Sequence, residues 1–287
     1  MRRAGLGAGL AAALLASGHA AAEPPRLEVQ EVASTGSMPK GAILSRDGKR
    51  LYVTNFGQEA RGNVTVLDAE TLAPLGAVDA PGVVVEGALS PDDKTLFVSN
   101  FRRSSVLFVD TETLRVTREV KTGANPKIVA ITPDGKSVFS ANWSARSVTR
   151  IDVASGTAVQ TLEVGRMPRR MAVSSKGALF VANFYGDSID VFEAPAYDKR
   201  RRFGVCRCPR HLALSPDDKI LYVSCLHASE LHAVDPSTGA VLHKVALGRA
   251  PKTVAVSRDG RWVWSADYGT TRSVSVVDTR DWTARVF

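Results

Sequence analysis

Hydrophobic residues in this chain occur in short runs, and no segment keeps the spacing of about 3.6 residues that an amphipathic helix needs. A typical stretch is "NPKIVAITPDGKSVFSANW", residues 125–143. It contains an apolar run, a Pro-Asp-Gly turn and a second run rich in Val, Phe and Ala. Such a stretch predicts two strands joined by a tight turn, so the pattern as a whole predicts an all-β protein.

This stretch belongs to a unit that recurs along the chain. Each unit is completed by a third apolar run, which in most units ends with an aspartate, and by a fourth apolar run. Four antiparallel strands at a period of about 42 residues predict the blade of a β-propeller. The hydroxyl residues that end the first run of each unit are Ser45, Ser90, Thr132, Ser174, Ser215 and Ser257.

We expect one propeller of six four-stranded blades over residues 23–287. The segment "RLEVQEVAS", residues 26–34, resembles a fourth strand without the three before it. We expect the N- and C-terminal strands to pair and so to close the ring. The predicted repeats lie near residues 37–81, 82–123, 124–165, 166–204, 205–248 and 249–287.

The second run of several units carries a shared motif: "LYVTN" at 51–55, "LFVSN" at 96–100 and "LFVAN" at 179–183. These motifs resemble the YVTN repeat of the YncE-like β-propeller family, and the resemblance covers residues 36–287. It implies a secreted or periplasmic propeller with a binding role, for which nucleic acid is one proposed ligand. That family usually has seven blades, so seven is the alternative to the six predicted here.

The first residues, "MRRAGLGAGLAAALLASGHAAAEPPR", have the basic start, apolar run and small residues of a secretory signal peptide. We expect a signal peptide over residues 1–22 and a periplasmic or secreted mature protein. The apolar run is too short to favour a membrane anchor, so we expect no membrane insertion. The net charge of +8 includes Arg2 and Arg3 of this leader, and the remaining excess of basic residues favours an anionic partner.

In a propeller the first strand of each blade lines the central channel. Antiparallel pairing brings the loop before this strand and the end of the second strand to the same rim. In five blades a basic residue follows the proline at the start of the first strand. These residues predict a basic ring that holds an anionic ligand, although solvated side chains are the alternative. They are Lys40, Lys127, Arg169, Arg210 and Lys252.

The ends of the second strands predict a polar and aromatic rim at the same face. Strand-end hydrogen bonds and wedges between blades are the structural alternative for these side chains. Aromatic residues between cations are also typical of grooves that bind single-stranded nucleic acid, so nucleic acid is an alternative partner. The predicted rim consists of Asn55, Asn100, Asn142, Trp143, Asn183 and Asp267.

No Ser or Cys lies in a recognised catalytic motif, and no cofactor motif is present. We therefore expect a monomeric, non-enzymatic binding protein without a cofactor, whose ligand face recognises a protein or an anionic molecule. A lactonase-like propeller hydrolase is the enzymatic alternative. Glu86 and Asp267 are the acidic residues that the repeats place at the channel for such an enzyme.

All three cysteines lie in one stretch of blade five, "VCRCPRHLALSPDDKILYVSCLH", residues 205–227. Hairpin counting predicts a disulfide between Cys208 and Cys225, with Cys206–Cys225 as the alternative. A second hypothesis is a Cu or Zn site made by Cys206, Cys208, Cys225 and His227. His232 and His243 fall on outer strands, so we expect them to take no part.

Overall fold

Turn residues and short apolar runs give strands throughout the computed structural model, which describes residues 31–270 and 273–287. The predicted signal peptide, residues 1–22, lies outside the described residues. Every described strand belongs to one of six four-stranded antiparallel sheets, each built from strands that are consecutive in sequence. The prediction of a six-bladed, all-β propeller is therefore confirmed.

Each blade contributes four strands, numbered here in chain order. Blades one to three consist of β1 (Pro39–Leu44), β2 (Arg50–Asn55), β3 (Val64–Asp68), β4 (Pro74–Val78), β5 (Val84–Leu89), β6 (Thr95–Asn100), β7 (Ser105–Asp110), β8 (Val116–Lys121), β9 (Pro126–Ile131), β10 (Ser137–Asn142), β11 (Ser147–Asp152) and β12 (Thr157–Glu163). Blades four to six consist of β13 (Pro168–Val173), β14 (Leu179–Asn183), β15 (Ser188–Phe192), β16 (Arg200–Gly204), β17 (Pro209–Leu214), β18 (Leu221–Cys225), β19 (Glu230–Val234), β20 (Val241–Ala246), β21 (Pro251–Val256), β22 (Trp262–Asp267), β23 (Val274–Asp278) and β24 (Thr283–Val286).

The first strands of the blades surround a central channel. They contact one another in order from β1 to β21, and residues from the first strands of all six blades line one cavity. The fourth strand of blade six is β24, which pairs with β23 and comes from the C-terminal end of the chain. An N-terminal strand was predicted at residues 26–34. Residues 31–34 form no strand, and residues 26–30 lie outside the described residues.

The hydrophobic core lies between adjacent blades. Phe139 of blade three is fully buried in one cluster with Leu179 and Val181 of blade four, and Leu96 of blade two packs in a cluster with Tyr52 of blade one. Burial of such a side chain contributes about 1.5–3 kcal/mol. Contacts of this kind hold the first strands in place around the channel.

The hydroxyl residue of each repeat stabilises the turn between the first two strands. Ser45 Oγ donates a hydrogen bond to Asp47 Oδ1 over 2.6 Å, and Thr132 Oγ1 donates to Asp134 Oδ1 over the same distance. These bonds lower the pKa of both carboxyl groups. The repeated acids therefore act in turn formation. None of the described residues forms a helix that is long and apolar enough to cross a lipid bilayer.

Candidate functional site: a basic cavity at the channel mouth

A β-bulge turns one residue of each first strand toward the channel. In blade three Pro126 pairs with Asn142 and Ile128 pairs with Ala141, so Lys127 is the extra residue between them. In blade four Arg169 occupies the same place. Bulges of this kind change the direction of a side chain relative to the strand. The same shift occurs at Lys40, Arg210 and Lys252.

All five residues of the predicted basic ring line one cavity of about 140 Å³. Blade two differs because Val85 and Glu86 fall in its irregular segment. The cavity also contains Arg170 and His211, which follow the bulged residues of blades four and five. Six basic side chains from five blades thus face a single carboxylate, that of Glu86.

Glu86 makes an ion pair across the channel. Its Oε2 atom accepts a hydrogen bond from Arg170 Nη1 over 3.1 Å. The Glu86 side chain is 31 % exposed, and it lines the narrow cavity at the channel mouth. Burial raises the pKa of this carboxyl group, and the attraction of Arg170 and Arg169 opposes the rise.

Burial and mutual repulsion lower the pKa values of several cations in the cavity. Burial lowers the pKa of Lys127 to about 8, and repulsion from Arg169 and Lys40 adds to the shift. Burial lowers the pKa of Arg169 to about 10. The pKa of Lys252 is lowered for the same reason, with further repulsion from Lys40 and Arg169. A bound anion would relieve this repulsion, because opposite charge favours the protonated forms.

Two buried arginine donors and one imidazole nitrogen at the cavity lack a protein partner. Within the described part of the chain, Arg169 Nε, Arg170 Nε and His211 Nδ1 make no hydrogen bond. Burial, followed by repulsion from Arg170, holds the pKa of His211 well below its ordinary value, so this side chain is neutral. Buried polar atoms without a partner are uncommon, and a ligand or water is the usual explanation.

Aromatic side chains lie between the cations around the rim. Lys127 Nζ is 4.1 Å from the ring centre of Trp143 and 5.7 Å from that of Phe101. The Arg169 guanidinium lies 5.0 Å from Trp143 and 5.2 Å from Phe184. Such contacts stabilise a cation by about 0.5–2 kcal/mol. The rings thus hold the cations, and each of these cations lies over a ring face. Three further contacts of this kind are Lys40–Phe56, Arg210–Phe184 and Lys252–Tyr268.

The predicted polar rim is buried and bonded within its own blades. Asn142 Nδ2 donates to Thr149 Oγ1 over 2.9 Å, and Asn183 Nδ2 donates to Asp190 Oδ2 over 2.9 Å. Each of the four asparagines is 0 % exposed and Asp267 is 5 % exposed. Burial and these bonds favour the structural alternative, in which the groups tie the second strand to neighbouring backbone and side chains. The residues concerned are Asn55, Asn100, Asn142, Asn183 and Asp267.

The disulfide joins Cys206 and Cys225, whose Cα atoms are 5.9 Å apart. The pairing that hairpin counting favoured, Cys208–Cys225, was wrong, and the alternative is confirmed. Cys225 does lie opposite Pro209, next to Cys208. The Cys208 backbone, however, has a positive φ of 55°, and its thiol is free and buried.

The four-residue metal hypothesis does not match the geometry either. His227 is exposed, and Cys208 is not among the residues whose ligand atoms come together. Instead Cys206, Cys225 and His232 have ligand atoms within 4.8 Å of one another. His232, which was expected to take no part, lies close to both cysteines because its strand, β19, pairs directly with β18.

Sequence reasoning missed Arg170, a cation of the cavity. The alternation of a regular strand places consecutive residues on opposite faces. The bulge at Arg169 breaks this alternation, so Arg169 and Arg170 both reach the channel. The consecutive arginines after Pro168 were the available signal.

A family model described as "Domain of unknown function (DUF7165)" matches residues 80–238. A comparison with curated proteins finds no match. The family model is described only as a domain of unknown function. The specific resemblance to the YVTN-repeat family therefore stays a prediction.

Two solved structures are similar in fold. The Kuenenia stuttgartiensis hydrazine synthase structure has a TM-score of 0.75 at 21 % identity, with coverage of 84 % of this chain and 83 % of the other. A functionally unknown protein from Desulfotomaculum acetoxidans DSM 771 has a TM-score of 0.69 at 15 % identity, with coverage of 86 % and 78 %. At these identities the likeness concerns the propeller fold alone.

Proposed function

The chain belongs to the DUF7165 family, a domain of unknown function, and from the geometry of its channel we propose that it binds a small anion with two or more negative charges. The observation that carries this proposal is the convergence of six cationic side chains on one cavity that contains a single carboxylate. Phosphate groups and dicarboxylates have the size and charge that this cavity favours. The unpaired Arg169 and Arg170 donors supply hydrogen bonds that suit anionic oxygens.

The surroundings of the cations favour a small anion over a nucleic acid. Nucleobases would stack on exposed aromatic faces. Here the faces of Trp143 and Phe184 are already covered by Lys127, Arg169 and Arg210. An acidic side chain of a partner protein has the same chemistry as a small carboxylate, and we treat that partner as an outcome of the test.

We infer that binding takes place outside the cytoplasm. Residues 1–22 have the pattern of a signal peptide. The disulfide between Cys206 and Cys225 supports this inference, because structural disulfides persist in oxidising compartments.

Calorimetric titration of the purified protein tests the proposal. The titrants are inorganic phosphate, sulfate, succinate, citrate, an acidic peptide and a single-stranded oligonucleotide, each at low and at physiological salt. We expect a small di- or trianion to bind at one site. Lys127→Met and Arg169→Met should each weaken binding by about tenfold or more, since each removes a charged contact.

Lys244→Met is the matched control, because this exposed lysine lies on the outer strand β20. It should leave the affinity unchanged. The proposal would be wrong if no anion bound at low salt, or if Lys244→Met weakened binding as much as Lys127→Met. Binding of the oligonucleotide or the acidic peptide in preference to every small anion would replace it with a macromolecular partner.

A propeller hydrolase is the second candidate, favoured by the raised pKa of Glu86 inside the same cavity. Glu86 would act as a general base on a water molecule beside the anionic substrate. Lactone hydrolysis that is lost in Glu86→Gln would support this candidate. Anion binding without any hydrolysis would favour the binding protein.

A further inference from the structure

Three residues of blade five differ together from their counterparts in other blades. In blade four, Gly165 N and Asn183 Nδ2 both donate to Asp190 Oδ2 over 2.9 Å. In blade six, Gly248 N donates to Ser275 Oγ over 2.8 Å, and that hydroxyl donates to Asp267 over 2.6 Å. A glycine, a strand-end residue and a third-strand residue therefore form one hydrogen-bonded trio.

Blade five replaces all three members of this trio with residues that bind metals. Cys206 stands at the glycine position and Cys225 at the strand-end position. His232 lies opposite Val223, as Asp190 lies opposite Val181 in blade four. A ring nitrogen of His232 and both sulfur atoms lie within 4.8 Å of one another.

The environment of His232 is that of a metal ligand. Its side chain is buried, and Nε2 lies 2.7 Å from Glu230 Oε2. The other nitrogen, Nδ1, is buried without a partner among the described residues. A carboxylate that holds one nitrogen while the other remains free is the usual arrangement around a metal-bound histidine.

We propose that reduction of the Cys206–Cys225 disulfide converts this trio into a site for a thiophilic cation, Zn(II) or Cu(I). Two thiolates and one imidazole are ligands that both ions accept. With bonds of about 2.0–2.3 Å, tetrahedral ligand atoms lie roughly 3.5–4 Å apart. Rotation about the Cα–Cβ bonds of the two cysteines would bring the sulfurs to this separation. Cys206 is partly exposed, so a cation can reach the site from solvent.

The redox step requires a dithiol reductant. The reductant gives two electrons and two protons to the disulfide and itself becomes a disulfide, while Cys206 and Cys225 become thiols. The cation then displaces both thiol protons, and His232 binds it through the lone pair of Nδ1. This site is separate from the basic cavity and does not depend on the anion-binding proposal.

The test compares the oxidised and the reduced chain, both freed of metal beforehand. Zn(II) is titrated in competition with a chromogenic chelator, and Cu(I) is titrated in competition under anoxia. We expect one cation per reduced chain and none per oxidised chain. Co(II) substituted for Zn(II) should give the charge-transfer absorption of a thiolate ligand.

Substitutions then assign the ligands. His232→Gln should weaken binding by at least about tenfold, and Glu230→Gln by about 10–100-fold through the orientation of His232. His227→Gln is the matched control, because this exposed histidine lies outside the trio. The affinity of His227→Gln should equal that of the unchanged protein.

Four results would overturn the proposal. They are absence of binding by the reduced chain, equal binding by the oxidised chain, unchanged affinity in His232→Gln, and loss of the near-ultraviolet circular dichroism signal on reduction. The comparison of oxidised and reduced protein needs no substitution, so it decides the matter even if a variant fails to fold. A preference for one of the two cations identifies the ion that the site selects.

Discussion

Arg170 Nη1 lies 3.1 Å from Glu86 Oε2, and this contact joins blade four to blade two across the channel. The pair places the single carboxylate of the cavity against a cluster of six cations. It reduces the repulsion within the ring, and it leaves the cavity with a net positive charge. The remaining positive charge is the physical basis of the proposed anion binding.

Neutralising Glu86 tests its role as the counter-charge of the ring. Without ligand, Glu86→Gln leaves Arg170 unpaired, but it also removes a buried carboxylate whose raised pKa shows that its ionisation opposes folding. The free energy of unfolding should therefore not fall, and it should change by no more than about 1 kcal/mol. The affinity for a small anion should rise by about tenfold, because an attractive competitor is removed. Urea unfolding and calorimetric titration measure the two effects.

Glu112→Gln serves as the control for this substitution, because Glu112 is exposed in the turn between β7 and β8. It should change neither quantity. Equal or weaker anion binding by Glu86→Gln would contradict the assignment of Glu86 as the counter-charge of the ring.

Lys127 should make anion binding dependent on pH. Its pKa is about 8, below the ordinary value of 10.5, because the charged form is buried among other cations. An anion binds best while this lysine is protonated, so affinity should fall as the pH rises through about 8. The loss should reach about tenfold, the contribution of one charged contact. Dissociation constants measured between about pH 6.5 and 9.5 check the expectation.

The lowered pKa of Lys127 affects stability in the opposite direction: the ligand-free protein should become more stable as the pH rises. A lysine whose pKa is lowered on folding contributes stability that is complete above pH 10.5 and is lost as the pH falls through about 8.

The variant Lys127→Arg tests whether Lys127 causes the pH dependence of anion affinity. It keeps its charge over this pH range and should move the decline in affinity to higher pH. An unchanged decline in that variant would assign the effect to another group.

The repeat made most of the fold predictable. Six units with turn residues at fixed places predict six blades, and a basic residue after each leading proline predicts the ring. The depth of burial could not be predicted in this way. Asn183 stands at a strand end, where exposure is common, yet its amide is 0 % exposed because it fills the space beside Gly165.

The first-choice disulfide, Cys208–Cys225, was wrong for a related reason. Counting along the hairpin gives the correct backbone register, in which Cys225 lies opposite Pro209. It does not include the loop before the first strand, which returns over the strand end in every blade. That loop brings residue 206 to Cys225, just as it brings Gly165 to Asn183 in blade four.

The close approach of glycine and asparagine predicts a steric effect in blade four. A Cβ atom on Gly165 would lie 2.5 Å from Asn183 Cγ, much closer than van der Waals contact allows. Gly165→Ala should therefore lower the free energy of unfolding by about 1–3 kcal/mol. Chemical denaturation checks this value.

Gly204→Ala is the matched control in the same blade. A Cβ atom on Gly204 meets no other atom within 4 Å, and the residue lies on the outer strand β16. Its substitution should change the free energy of unfolding by no more than about 0.5 kcal/mol. Equal effects of the two substitutions would show that the asparagine yields to the added methyl group.

Blade five should tolerate the hydrogen-bonded pair of its neighbours in place of the disulfide. Loss of the bridge in Cys206→Ser/Cys225→Ser should cost about 3 kcal/mol, because the bridge closes a loop with a sequence separation of 19. Cys206→Gly/Cys225→Asn recreates the pair seen in blade four and lets the new amide donate to His232 Nδ1. This variant should recover about 1 kcal/mol, the net contribution of one buried hydrogen bond. Thermal unfolding of both variants, with Cys208→Ala as the control that keeps the bridge, measures the difference. If the Gly/Asn variant proved less stable than the Ser/Ser variant, the equivalence of the two kinds of pair would be wrong.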